Sequence, residues 1–255
     1  MKLDGFSTLY MSKLEALKGI ELVDGVSRLF GEPEAKRTSI PVAFHVIYRN
    51  AASNVPEEML EAQIDALNEA YRPHRYSFYI SSIDRTKKTS WFRKCATESG
   101  YTSMTNRLSI DPAHTLNIYL CEPGGGLLGF AFFPSSFPED DTFHGVTALY
   151  SSLPGGDAFP YDEGATIVHE VGHYLGLFHT FQDGCDGGDE VSDTAAEAEP
   201  AFGCPIGRDT CLGDGPDPVT NFMDYSDDAC MDHFTRGQRK RIDREVRTFR
   251  PSLGT

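Results

Sequence analysis

The hydrophobic pattern of the chain first becomes regular near position 40. From there, apolar side chains alternate with their neighbours at Val42, Phe44, Val46 and Tyr48. A period of two residues predicts a β-strand with one buried face. Shorter apolar runs predict further strands at residues 76–83, 116–120, 127–133 and 144–150.

Helices are predicted in three places. Pro56 followed by two glutamates favours a helix start, because proline is tolerated in the first turn and the helix dipole favours acidic residues there. Its inner face would carry Met59, Ile64, Leu67 and Tyr71. Two more helices are predicted over residues 162–178 and 235–247, separated by a stretch with little periodicity. This order predicts an α+β fold with two unequal parts.

The formal net charge of −15 argues against a nucleic-acid partner, since phosphate backbones require basic surfaces. No apolar run reaches the roughly 18 residues that a membrane span needs. The acidity is concentrated between Phe181 and Asp232, where fourteen acidic residues accompany one arginine, Arg208. Such a block is either a solvated surface or a set of oxygen ligands for Ca²⁺.

Four of the six cysteines lie in this acidic part of the chain, at Cys185, Cys204, Cys211 and Cys230. A Cys₄ zinc site is one interpretation, but no Cys-x-x-Cys pair is present, and we favour disulfides. Disulfides indicate an oxidising compartment and therefore secretion. No apolar leader is visible at the N-terminus, so we expect the numbering of a mature or truncated chain.

The segment from His169 to His179, His-Glu-Val-Gly-His-Tyr-Leu-Gly-Leu-Phe-His, has the spacing of a metal site. Residues i and i+4 share one face of a helix, so His169 and His173 can bind one ion. Gly176 lets the chain leave the helix in a conformation that a Cβ disfavours, which can return His179 as a third ligand. Three imidazoles and a water form an open tetrahedral zinc site.

Glu170 follows the first histidine, within reach of a water on that zinc. Zinc lowers the pKa of such a water towards about 7, and Glu170 would take its proton and deliver it to the leaving amine. HExxH alone occurs by chance, whereas the longer HExxHxxGxxH form is a metzincin signature. The alternative is three structural histidines on an amphipathic helix. Structural or surface roles are expected for His45, His74, His114, His144 and His233.

Downstream, the segment Asn221-Phe-Met-Asp-Tyr225 resembles the Met-turn of metzincins. Met223 would lie beneath the three histidines as a hydrophobic floor. Tyr225 matches a position that contacts zinc or the tetrahedral intermediate in several metzincins. Without the upstream motif, this pattern would indicate ordinary core packing.

Over about residues 37–250, the chain is similar to the pappalysin family of metzincin zinc metalloproteases. The matching segments are His179-Thr-Phe181, Phe202-Gly-Cys204, Gly207-Arg-Asp-Thr-Cys211, Asn221 to Cys230, Gly124-Gly-Gly-Leu-Leu-Gly129 and Trp91-Phe-Arg93. The resemblance implies a secreted zinc endopeptidase of metzincin fold, with a twisted mixed sheet, an active-site helix and an irregular, disulfide-linked C-terminal subdomain.

The resemblance also implies the disulfides Cys185–Cys211 and Cys204–Cys230, since six cysteines alone leave fifteen connectivities open. Cys95 and Cys121 remain, and we expect them to pair with each other. Two buried free thiols are the alternative.

The family binds structural Ca²⁺ in the loop after the third histidine. Asp189, Asp193 and Thr194 match that segment here, with carboxylate and hydroxyl oxygens at turn spacing. A plain acidic loop is the alternative, and the loop between His179 and Cys185 is shorter than in the family.

Two features of the resemblance concern the substrate. The predicted strand at 127–133 resembles the metzincin edge strand that binds substrate backbone by β-augmentation, through Leu128, Gly129 and Ala131. Asp228 matches an acidic residue that selects Arg or Lys after the cleaved bond, because a partly desolvated carboxylate favours a guanidinium partner. A surface or calcium-bound aspartate is the alternative.

We therefore expect three segments. Residues 1–36 are interpreted as a propeptide remnant, residues 37–179 as the N-terminal catalytic subdomain, and residues 180–255 as the C-terminal subdomain. Family zymogens can be blocked by a propeptide cysteine on zinc, but residues 1–94 contain no cysteine. A different latency mechanism is expected, with self-cleavage before Arg37.

The predicted function is that of a secreted endopeptidase that cuts proteins or peptides before Arg and Lys, with catalytic Zn²⁺ and structural Ca²⁺. A catalytically silent zinc- and calcium-binding extracellular module is the alternative, although such a module would tend to lose Glu170. A calcium-stabilised adhesion or inhibitor protein would explain the acidity but not the zinc motif. The oligomeric state is not predicted.

Overall fold

The computed structural model describes residues 37–213 and 215–255, so the expected propeptide remnant lies outside the described residues. Five strands form one mixed sheet in the order β2–β1–β3–β5–β4. Their bounds are β1 Thr38–Tyr48, β2 Tyr76–Lys87, β3 Leu116–Cys121, β4 Gly129–Ala131 and β5 Val146–Leu149. The pairs β1–β2, β1–β3 and β3–β5 are parallel, while β4 pairs antiparallel with β5 at the sheet edge.

Five α-helices belong to the described part of the chain. They are α1 Glu57–Tyr71, α2 Thr89–Lys94, α3 Glu98–Leu108, α4 Ala165–Tyr174 and α5 Arg236–Phe249. Single 3₁₀ turns occur at Ala51–Ser53, Arg72–His74, Pro134–Ser136, Gly184–Asp186 and Asp228–Cys230. Among these described helices, none combines the length and apolarity that crossing a membrane would require.

The prediction that the first strand has one buried face was wrong, because β1 is buried on both faces. Val42 and Phe44 belong to the main hydrophobic core, together with residues of α1 and α4. Ile47 points to a second core formed with Trp91 of α2 and Met104 of α3. These two short helices were not predicted. They cover the face of β1 that the alternating pattern had predicted to be exposed to solvent.

The edge strand β4 is also shorter than the predicted strand at 127–133. Pro134 begins a 3₁₀ turn and has no N–H to continue a ladder, so pairing stops before it. Before the strand, Gly124–Gly126 have left-handed φ values and form a turn that extends to Leu127, so β4 begins only at Gly129.

Three disulfides hold the chain together, and all are pairs expected above. Cys95–Cys121 joins the end of α2 to the end of β3. Cys185–Cys211 and Cys204–Cys230 cross-link the irregular part that follows α4. That part has few regular elements, so the disulfides supply order that strands and helices supply elsewhere.

Candidate active site

The first two histidines of the motif lie one turn apart on α4. The Nδ1 atom of His169 is 2.7 Å from the carbonyl oxygen of Phe222, and that of His173 is 2.7 Å from the carbonyl oxygen of Leu177. A carbonyl oxygen can only accept a hydrogen bond, so Nδ1 of each ring donates and carries the proton. The Nε2 atoms are thereby left as lone-pair donors, the arrangement that a metal-binding histidine needs.

The exit from α4 brings the third histidine back to the first two. The predicted helix end at residue 178 was too late, because Gly176 adopts a φ of 104° and terminates the helix. The N–H of Leu177 then bonds back to the carbonyl of Gly172 at 2.9 Å. After this turn, Nε2 of His179 lies 3.0 Å from Nε2 of His173.

The three imidazoles form a donor set that fits zinc. Their candidate ligand atoms all lie within 4.8 Å of one another. Two zinc–nitrogen bonds of about 2.0–2.1 Å at a tetrahedral angle place the nitrogens about 3.3 Å apart, close to the 3.0 Å between His173 and His179. Burial lowers the pKa of His169 to about 3, that of His173 to about 4 and that of His179 well below its usual value. The rings are therefore neutral at physiological pH, as ligands must be.

Glu170 lies beside this cluster with one oxygen free. Its Oε2 is buried and has no hydrogen-bond partner within the described residues. Burial raises the pKa of this carboxyl group to about 8. The side chain is confined by the edge strand, because a Cβ at Gly129 would lie 2.8 Å from Cγ of Glu170. A fixed carboxyl group with a free oxygen and a raised pKa has the properties of a general base and acid.

The Met-turn forms the other side of the cluster. Met223 is fully buried, and its backbone carbonyl accepts a hydrogen bond from the N–H of Thr180, the residue after the third histidine. The hydroxyl of Tyr225 lies 3.1 Å from Nε2 of His179. Burial raises the pKa of Tyr225 far above its usual value, with the negative charges of Glu170 and Asp224 adding to the effect. Tyr225 therefore keeps its proton and can donate a hydrogen bond.

A cavity of about 340 Å³ opens over the three histidines. Its lining includes Gly129 and Ala131 of the edge strand β4, Leu128 just before that strand, and Tyr225. The predicted substrate-binding residues are thus all at the cavity.

Asp228 lies where the cavity meets the start of α4. Its Oδ2 accepts hydrogen bonds from the N–H groups of Glu163 at 2.9 Å and Ala165 at 3.2 Å. This capping, together with the left-handed conformation of Gly164, explains why α4 starts at Ala165 rather than at residue 162. The other oxygen, Oδ1, is buried without a partner in the described part of the protein. Burial raises the pKa of Asp228 to about 6.

The three candidate calcium ligands do not all come together. Asp189 and Thr194 are adjacent, with Oγ1 of Thr194 2.6 Å from Oδ1 of Asp189. Asp193 instead accepts hydrogen bonds from the Thr235 hydroxyl at 2.7 Å and the Gly237 N–H at 2.8 Å. It thereby satisfies a free N–H at the start of α5, which sequence reasoning could not foresee.

Sequence reasoning missed two aromatic walls of the site. The Phe181 ring stacks on His179 with centroids 4.6 Å apart, and the Phe133 ring packs edge-on against His173 at 5.5 Å. Phe181 belongs to the family motif after the third histidine, which was the available signal. The carbonyl partners of His169 and His173 left no signal, because any residue supplies a carbonyl.

Comparison with known proteins identifies relatives of this arrangement. The model of the peptidase M43 family, described as pregnancy-associated plasma protein-A, matches residues 101–247. Extracellular metalloprotease 1 of Coccidioides posadasii is 44% identical over 214 residues, covering 81% of this chain and 76% of that protein. An extracellular metalloprotease of Colletotrichum graminicola is 42% identical over 223 residues, covering 84% of this chain and 78% of its own length.

Solved structures of mirolysin share the fold. Mirolysin in complex with compound 9 is 30% identical, with a TM-score of 0.77, and the match covers 86% of this chain and 97% of that one. Mature mirolysin of Tannerella forsythia in complex with a cleaved peptide is 28% identical, with a TM-score of 0.73, and the match covers 88% and 100% of the two chains. These matches confirm the α+β metzincin fold.

Proposed function

Because the chain belongs to the pregnancy-associated plasma protein-A family of peptidases and is a secreted metalloendopeptidase with a catalytic zinc, we propose that it cleaves peptide bonds on the N-terminal side of Arg and Lys. The observation that carries this proposal is Oδ1 of Asp228, a buried carboxylate oxygen without a described partner at the cavity. A buried acceptor of this kind is costly to leave unpaired. A guanidinium or ammonium group of the substrate would satisfy it.

In this proposal, His169, His173 and His179 hold the zinc. When bound there, zinc supplies a Lewis acid that polarises the scissile carbonyl and acidifies a water. A cation held by the three histidines would favour the ionised form of the nearby Glu170. In that form, Glu170 accepts the proton of the attacking water on its free oxygen and passes it to the leaving amine. The Tyr225 hydroxyl donates a hydrogen bond to the oxyanion that develops on the carbonyl.

The position of Asp228 also fixes the direction of the bound peptide. The edge strand β4 begins at Gly129, beside Glu170, and the chain continues to Phe133, beside His173. Asp228 lies at the opposite end of α4 from His173, next to Ala165. A substrate with its P1′ side chain at Asp228 must therefore run from the Phe133 end to the Leu128 end, antiparallel to β4. The free edge of β4 would bind its backbone by β-augmentation.

Arginine suits this pocket better than lysine. A guanidinium has five donors in a planar fork, and it is more weakly hydrated than an ammonium. Oδ2 of Asp228 already accepts hydrogen bonds from the N–H groups of Glu163 and Ala165, so the substrate cation would bind mainly to Oδ1. The carboxylate with its pKa near 6 is mostly ionised at neutral pH, and a bound cation stabilises that ionised form further.

A peptide library analysed by mass spectrometry tests this function. Wild type should cut before Arg and, more slowly, before Lys, and a zinc chelator should abolish every cut. Asp228→Asn should keep the capping interaction of Oδ2 while losing the charge, so cleavage before Arg should fall by about tenfold to a hundredfold relative to cleavage before neutral residues. Cleavage without preference at P1′, or an unchanged preference in Asp228→Asn, would refute the proposed specificity.

We also propose a structural Ca²⁺ at Asp189 and Thr194. The Thr194 hydroxyl lies 2.6 Å from Oδ1 of Asp189 and 2.8 Å from the carbonyl oxygen of Val191, and its single proton can serve only one of them. Oδ2 of Asp189 is buried without a described partner. Oδ1 of Asp189 also accepts a hydrogen bond from the Val191 N–H at 3.0 Å, so Oδ2 is the oxygen left for a ligand. Several oxygens converging in one turn around this free oxygen favour a hard cation. Asp193 is left out of this site because both of its oxygens are engaged at α5.

The division at residue 180 remains part of this proposal. Residues 37–179 would supply the sheet, α4 and the zinc ligands, and residues 180–255 would supply Met223, Tyr225 and Asp228 from the other side of the cleft.

A further inference from the structure

Two large aromatic side chains are exposed close to Asp228. Phe159 is 85% exposed and Phe202 is 51% exposed. A single exposed apolar residue needs no explanation, but two exposed rings on segments near one binding cavity suggest a contact surface.

The residue after each phenylalanine is hydrogen-bonded to the backbone of the segment that carries Asp228. The N–H of Asp228 donates to the carbonyl of Pro160, which follows Phe159, at 3.2 Å. The N–H of Asp227 donates to the carbonyl of Gly203, which follows Phe202, at 2.9 Å. Two separate chain segments thus bond to two adjacent aspartates, one segment to each, and each segment carries an exposed ring.

The Phe202 ring also borders the catalytic cleft. Its centroid is 6.2 Å from that of Tyr225, whose hydroxyl contacts His179. Tyr161, two residues after Phe159, lines the cavity together with Asp228. Both rings are therefore carried by chain segments that adjoin the Asp228 end of the cavity, where the substrate would continue past its P1′ residue.

We propose that Phe159 and Phe202 form an apolar rim that binds apolar side chains at the P2′ and P3′ positions of the substrate. This inference rests on the proposed placement of the P1′ residue at Asp228. In an extended peptide, successive side chains point to opposite sides and advance about 3.3 Å per residue. Two rings on two different segments can therefore each contact one of the two side chains that follow P1′.

Two internally quenched peptides test the rim. They share one sequence with Arg at P1′ and differ only at P2′ and P3′, which are Leu-Phe in one peptide and Ser-Ser in the other. Wild type should cleave the Leu-Phe peptide with a kcat/KM about fivefold to tenfold higher, as expected for partial burial of two apolar side chains. The double variant Phe159→Ser/Phe202→Ser should reduce this preference to less than twofold.

Tyr79→Ser is the matched control. Tyr79 is an exposed aromatic residue on β2, at the opposite sheet edge from β4, so its removal should leave the preference unchanged. The double variant should cleave the Ser-Ser peptide within twofold of wild type, which shows that folding and chemistry are intact. If the double variant cleaves both peptides much more slowly than wild type, the single variants Phe159→Ser and Phe202→Ser decide the question. Each of them must then lower the ratio of the two kcat/KM values.

Mass spectrometry of the products separates this inference from the P1′ proposal. Cleavage before Arg in both peptides with equal kcat/KM values, or a preference that survives in the double variant, overturns the rim alone. Cleavage at another bond overturns the P1′ placement and the rim with it.

Discussion

Gly172 of α4 lies against Met223 so closely that a Cβ on the glycine would overlap the methionine sulfur and lie 3.2 Å from its terminal carbon. Met223 is fully buried, and its neighbour Phe222 supplies the carbonyl that fixes the His169 ring. The absence of a side chain at position 172 thus sets the distance between the helix that carries two histidines and the turn beneath them.

The variant Gly172→Ala tests this contact. Alanine is favoured over glycine in a helix by about 1 kcal/mol, so propensity alone predicts a more stable protein. Overpacking against Met223 costs about 1–3 kcal/mol, and we expect it to prevail. Unfolding by urea should show a net loss of stability, and zinc affinity should fall. In a protein that already carries Met223→Ala, the substitution Gly172→Ala should cost less stability than it does in wild type. Equal costs in the two backgrounds would contradict the contact.

Replacement of Glu170 by glutamine should separate chemistry from metal binding. Glutamine has nearly the shape of glutamate but cannot accept the proton of the attacking water. We expect kcat to fall by about 10²–10⁴-fold. Zinc content, measured by elemental analysis, should stay at the wild-type level because the three histidines are untouched. Retention of more than a tenth of the activity would exclude Glu170 as the base.

The chain itself contains a bond that the proposed specificity would cut. Arg37 is exposed and immediately precedes β1. We therefore expect self-cleavage before Arg37, with N-terminal sequencing of the active protein beginning at this residue. The variants Glu170→Ala and Arg37→Ala should both remain unprocessed at this bond.

Added wild-type enzyme distinguishes the two variants. It should process Glu170→Ala, whose cleavage site is intact, but not Arg37→Ala. Processing of Glu170→Ala in the absence of active enzyme would assign the cut to another protease.

Calcium should stabilise the protein through Asp189. At a concentration 100-fold above its Kd, a ligand contributes about 2.7 kcal/mol, which raises Tm by roughly 5–10 °C in a chain of this size. Asp189→Asn should lose most of this calcium-dependent rise in a thermal melt of zinc-loaded protein. Asp193→Asn is the control, since loss of its contacts at α5 should lower Tm equally with and without calcium. An equal calcium response in wild type and Asp189→Asn would remove Asp189 from the site.

The local part of the active site could be predicted from sequence. Its histidines, Glu170 and the glycine turn lie within eleven residues from His169 to His179, where helix geometry alone determines their arrangement. Met223 and Tyr225 required the family resemblance, because nothing local ties them to α4.

Long-range packing could not be predicted in the same way. The second face of β1 is covered by α2 and α3, whose few apolar residues, such as Trp91 and Met104, give weak periodicity. Asp193 has the composition of a calcium ligand, but its partner Thr235 lies 42 positions away along the chain. Whether a carboxylate such as Asp193 binds a cation or a helix start depends on which chain segments lie next to it in the fold. Its hydrogen-bonding capacity alone does not determine the partner.

Two buried histidines outside the zinc site should make stability depend on pH. Burial lowers the pKa of His74 and of His144 from 6.5 to about 4. A depressed pKa means that the unfolded chain binds a proton before the folded one does, so stability is complete above pH 6.5 and falls as the pH drops towards 4. Each shift corresponds to at most about 3 kcal/mol. Urea unfolding between pH 7.5 and 4.5 should show a shallower decline for His74→Phe, whose ring can keep the contacts with Tyr71 and Phe234. The decline should be unchanged for His114→Gln, because the His114 side chain is only partly buried. Parallel curves for His74→Phe and wild type would mean that His74 does not contribute to acid unfolding.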